Sequence, residues 1–73
     1  MLMEGGNMAE FQMSMVKSRE FDRACLACQM AFGCIMYREG GHLEITSFES
    51  GDMEVIRDTL SEAGSVYLGG IAF

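Results

Sequence analysis

Proline is absent from the 73-residue chain, which excludes a proline-rich linker and any proline-locked turn. Bases are scarce: five Lys and Arg stand against eleven Asp and Glu, a formal net charge of −6. Phosphate contacts need clustered Lys and Arg, so neither direct nucleic-acid binding nor attachment to an anionic membrane is expected. Cysteine is limited to three residues, which cannot all pair within one chain. Small disulfide-stapled secreted scaffolds usually carry more. The first ten residues hold two acids and no base, unlike a signal peptide. The uncharged stretch from Ala24 to Tyr37 is interrupted by Gln29 and Gly33. It falls short of the roughly 20 residues of a spanning helix. A cytoplasmic protein is expected.

Catalytic signatures are missing too. There is no phosphate-cradling glycine loop followed by Lys and Ser or Thr, and no Ser-His-acid arrangement with a nucleophile elbow. The expectation is a protein without enzymatic activity and without a cofactor. No internal repeat is visible.

What is present is globular: 49% of the residues are apolar. The length allows one domain. A domain this small buries only about 60% of its unfolded surface, so oligomerisation or a metal often supports it. Residues 1–7 look like a flexible lead-in, with Gly5-Gly6 and no periodicity, and Met8 is a second candidate start. Residues 8–73 form the expected α+β domain.

From Met8 to Val16 the pattern alternates, with Phe11, Met13 and Met15 on one face, which is a half-buried strand. Ser18 fits an N-cap, with Glu20 and Asp22 in the first turn, where acids suit the helix dipole. Phe21, Cys25, Cys28 and Phe32 then share one helix face, and Gly33 ends the helix. Residues 34–38 and 42–48 flank Glu39-Gly40-Gly41, a hairpin signal. Ile35 and Tyr37 share a face, as do Leu43 and Ile45. The alternation slips at Ser47-Phe48, the mark of a bulge or a strand end. Ser50-Gly51-Asp52 is a cap region for a second helix with the stripe Met53, Ile56, Leu60 and Ala63, stopped by Gly64. Ser65 to Phe73 closes the chain as an uncharged strand.

The order β-α-β-β-α-β is the ferredoxin-like, split βαβ pattern: a four-stranded antiparallel sheet, strand order 4-1-3-2, with two helices on one face. The alternative is β-α-β-α-β, with the first helix running on through Arg38. This architecture hosts many functions and implies none.

Cys25, Cys28, Cys34 and His42 have the residue types of a tetrahedral zinc site, and Cys25-x-x-Cys28 that of a thiol redox site. Their neighbours Ala24, Leu26, Ala27 and Ala31 are apolar, and Cys25 lies about two turns into the helix. Core packing is the favoured role, with metal or thiol chemistry the alternative. His42 reads as a solvated residue at a strand start. Gly69-Gly70 suits a bulge or a close backbone approach. On the two central strands the open sheet face would carry Glu10, Gln12, Ser14, His42, Glu44 and Thr46. It lacks the aromatic and basic residues of an RNA-recognition surface.

Charge is unevenly spread. Residues 1–38 hold four acids and four bases, whereas residues 39–73 hold seven acids and only Arg57, so the −6 belongs to the second half. Glu54, Asp58 and Glu62, spaced by four, form an acidic ridge on the second helix, the expected contact for a basic protein surface. Opposite its core stripe, the first helix carries Arg19, Arg23, Leu26, Ala27 and Met30. The last strand, with Val66, Tyr67, Leu68, Ile71 and Phe73, is uncharged and sits at a sheet edge. Leu26 with Met30, and that strand, are the two expected self-association or partner surfaces, most simply in a two-fold homodimer. The expected function is a small acidic protein-interaction module that binds and modulates or inhibits a basic partner. One form is a phage-type inhibitor of a nucleic-acid-binding protein. A small-molecule-sensing regulatory domain is the alternative.

Overall fold

The computed structural model describes the backbone of residues 8–72 and the side chains of residues 8–70. The expected lead-in and Phe73 lie outside the described residues. Strand β1 (Met8–Ser14) is followed by α1 (Arg19–Phe32), β2 (Ile35–Glu39), β3 (His42–Glu49), a short 3-10 turn (Ser50–Asp52), α2 (Met53–Glu62) and β4 (Tyr67–Ala72). The four strands form one antiparallel sheet in the order β2-β3-β1-β4, which is the ferredoxin-like α+β arrangement.

Local chemistry explains most boundaries. The Phe21 amide donates to the Ser18 hydroxyl at 3.0 Å, and Gly33 ends α1 in the left-handed conformation, its amide bonded to the Gln29 carbonyl. Gly40 and Gly41 both have positive φ, as a two-residue type I′ hairpin between Glu39 and His42 requires. The start of α2 differs from expectation. Asp52 is itself helical and makes no side-chain capping bond, because the 3-10 turn leads the chain straight into the helix.

Strand β4 begins at Tyr67 rather than Ser65. Ser14 and Val66 exchange backbone and side-chain bonds of 2.8 Å, and the Ser65 hydroxyl donates to the Ser14 carbonyl. Side-chain oxygens thus satisfy the backbone where the ladder would otherwise begin.

The core lies between the sheet and the two helices. Ala9, Phe11, Met13, Leu43, Ile45 and Phe48 point from the sheet, and Phe21, Cys25, Cys28, Ile56 and Leu60 come from the helices. Phe11 and Phe48 meet edge to face at 5.5 Å between ring centroids. The slip at Ser47-Phe48 is a bulge: the β1–β3 register shifts between Ala9 and Phe11, and Ser47 takes φ 63°. The bulge returns Phe48 to the core. A second register shift, between Gln12 and Met13, leaves Leu68 unpaired beside Gly69, whose φ is 141°. At Gly70 a Cβ atom would collide with Phe11 and stand 2.7 Å from the Glu10 carbonyl oxygen. Both glycine roles read from the sequence, bulge and close approach, are present.

Two substitutions check this account by urea denaturation. Ser47→Gly removes left-handed strain and is expected to stabilise the protein by about 0.5–1 kcal/mol. Gly70→Ala drives a methyl group into the β1 backbone and is expected to cost more than about 2 kcal/mol or to detach β4.

Candidate functional site

The helices cover one face of the sheet, and among the described residues the other face is open. Strand alternation decides what it shows. In β1 and β3 the inward residues are fixed by the core, so Glu10, Gln12, Ser14, His42, Glu44 and Thr46 face outward, each half-buried. In β2, Met36 packs against the core, and Arg38 pairs with Asp22 of α1 at 3.5 Å. Ile35, Tyr37 and Glu39 must therefore face outward. The two residues share a face, as their alternation predicts, and it is the open one because Met36 and Arg38 take the helix side. Tyr37 is 65% and Ile35 54% exposed. The edge strand adds an aromatic ring to a face whose central strands have none.

The register arranges these residues in rows. Tyr37, Glu44, Gln12 and Gly69 stand side by side across four strands. Glu39, His42 and Ser14 form the row nearest the hairpin, and Met8 pairs with Glu49 at the other end. Leu68, also more than half exposed, borders a depression of about 270 Å³ lined by Glu10, Gln12, Glu44, Gly69 and Gly70. Gly69, where an added Cβ would meet nothing within 4 Å, leaves β4 without a side chain there. Among the described residues this face carries Glu10, Glu39, Glu44 and Glu49 and no Lys or Arg. None of these four carboxylates has a base within 4.0 Å among the described residues.

The acidic ridge expected on α2 is exposed, but its charge is partly met from within. Arg57 lies 3.9 Å from both Glu54 and Asp58. Its guanidinium also sits 5.5 Å from the centre of the Tyr67 ring, which in turn faces Phe11. Glu62 borders a shallow groove between the helices with Glu20 and Arg23. Of the expected apolar contact residues, Leu26 and Met30 are exposed on α1 and Val66 and Leu68 are exposed at β4. Tyr67 is turned to the helix side by its contacts with Phe11 and Arg57. The Ile71 side chain and Phe73 lie outside the described residues. The two expected surfaces lie on different sides: Leu26 and Met30 on the helix side of the molecule, Leu68 on the open sheet side.

The structure does not bring the metal-type residues together. Cys25, Cys28 and Cys34 are buried in the core, whereas His42 faces the open side of the sheet. Among the described residues no three His, Cys, Asp or Glu side chains group as a metal ion would require. Burial pushes the Cys25 and Cys34 thiols up, with the Arg38 guanidinium opposing the effect at Cys25. It pushes Cys28 from the ordinary 9.0 up to about 11. These are protonated core groups, unlike reactive thiols, which are exposed and held low. No helix of the described residues is long and apolar enough to cross a membrane.

Searches against protein-family models, curated proteins and solved structures found no match.

The buried thiols have a measurable consequence. At about pH 8 the folded protein is expected to resist alkylation at all three thiols and to react at all three in denaturant. The unfolded chain ionises these thiols first as pH rises, so their burial supports folding fully below 9.0 and loses that support above it, for Cys28 progressively towards about 11. Denaturation midpoints should fall across that interval, and less steeply in Cys28→Ala.

Proposed function

We propose that the chain is a small non-catalytic protein-interaction module whose open sheet face docks a basic, amphipathic surface of a partner protein. One observation supports this most directly: Glu10, Glu39, Glu44 and Glu49 share that face with exposed Met8, Ile35, Tyr37 and Leu68 and with no base among the described residues. Opposite charge steers and orients an encounter, while aromatic and aliphatic groups supply area to bury. The α2 ridge is the weaker candidate, because Arg57 already stands beside two of its three acids. Inhibition follows from the same chemistry when the basic partner surface is one that otherwise holds nucleic acid. Carboxylates on the sheet then occupy the place of phosphates.

The depression over Gly69-Gly70 favours a second reading, a small-molecule-sensing regulatory domain. Its volume of about 270 Å³ is at or below the lower end of ligand pockets, roughly 300–1,000 Å³, and it is open on one side. The size supports docking over ligand capture. A thermal-shift panel of metabolites should give no stabilisation if docking is the function.

The docking face is tested by zero-length carbodiimide coupling in native lysate, which joins carboxylates to lysines in contact. Partner lysines are expected on Glu10, Glu39, Glu44 or Glu49, identified by mass spectrometry. Glu10→Lys with Glu44→Lys should weaken binding of the coupled partner by at least about tenfold. Reversing Glu54, Asp58 and Glu62 to Lys should change it by less than about threefold, as for exposed charges outside a contact. The opposite ranking would move the docking site to α2 and overturn the assignment to the sheet.

A further inference from the structure

The surface that the open sheet face calls for is basic and amphipathic, and the chain itself carries one on a helix. With Phe21, Cys25 and Cys28 turned into the core, Arg19, Arg23, Leu26, Ala27 and Met30 form the outermost stripe of α1, all exposed. The two arginines lie towards one end of the stripe, about 6 Å apart along the axis at 1.5 Å per residue. Leu26 and Met30 occupy the rest, and Met30 is 78% exposed, the most exposed of the large hydrophobic residues described. Among the described residues neither arginine has a carboxylate within 4.0 Å.

We infer that the open sheet face receives the outer stripe of α1 from a second copy of the chain, so that the protein self-associates head to tail. The inference rests on the reading of that face as a docking surface and names one occupant for it. Arg19 and Arg23 meet Glu10 and Glu44, and Leu26 and Met30 cover Tyr37, Ile35 or Leu68. A helix about 10 Å across fits a sheet whose outer strands stand about 14 Å apart. Charge complementarity selects this arrangement over a symmetric pairing of two sheet faces. Two sheet faces brought together would oppose Glu10, Glu39, Glu44 and Glu49 with their own copies. Because the stripe and the sheet face lie on opposite sides of the molecule, the contact is heterologous and propagates instead of closing as a two-fold dimer. This differs from the two-fold dimer expected from the sequence.

Sedimentation velocity of the purified full chain, over a concentration series at low and high ionic strength, tests the inference. The mean mass should rise with concentration at low salt and fall back on adding salt. Arg19→Glu with Arg23→Glu places acids on both surfaces, and Glu10→Lys with Glu44→Lys places bases on both. Each variant alone should remain monomeric, and an equimolar mixture should associate again. Restoration in the mixture also shows that both variants are folded. A wild-type chain that stays monomeric throughout the series overturns the inference. So does association that survives the sheet-face reversal, the signature of a symmetric α1–α1 dimer. If carbodiimide still couples a foreign protein to Glu10 or Glu44 while the pure chain is monomeric, self-association fails and the docking reading stands. If neither occurs, both fall.

Discussion

The packing of Phe11 joins three strands into one sheet. Its ring meets Phe48 of β3 edge to face and lies 6.0 Å from the Tyr67 ring of β4. Its backbone is where Gly70 comes closest. In a domain this small a single buried aromatic carries a large share of the apolar burial. Holding Phe11 inward also settles the two residues beside it. Glu10 and Gln12 must face the open side, because successive side chains alternate. The core contact and the candidate site are thus two consequences of one strand register.

The same register explains where the net charge falls. The acids of β2 and β3 alternate with inward residues or with Arg38, which reaches back to Asp22 of α1. That removes the base nearest the sheet and leaves carboxylates on the open side. On α2 the outcome is different. Arg57 is held over Tyr67 by a cation–π contact and stays beside Glu54 and Asp58. Spacing alone made the ridge the more conspicuous acidic feature, yet the sheet face is the one without a compensating base. A surface that combines uncompensated charge with exposed Tyr37, Ile35 and Leu68 has the mixed chemistry of protein interfaces.

Much of the fold was legible in residue patterns because local chemistry carried it. Ser18 caps α1, Gly33 ends it, and Gly40-Gly41 turns the hairpin, each through a backbone requirement that neighbouring residues cannot change. Asp52 was the exception: a residue type suited to capping made no cap, since the preceding 3-10 turn already held the backbone in helical form. The candidate site was legible only on the central strands. Alternation groups Ile35 with Tyr37, but period two does not say which group points inward.

The sequence by itself determined the helix stops, the hairpin and the net charge of −6, and it favoured the observed element order and a core role for the cysteines over their alternatives. These depend on neighbours along the chain or on composition. Tertiary structure decided which acids remain uncompensated, that Tyr37 and Ile35 face outward, that His42 and the cysteines lie on opposite sides of the sheet, and that Leu26 and Leu68 do not share a surface. Each depends on pairing between strands or on a helix crossing a sheet, where residues distant in sequence compete for the same space and charge.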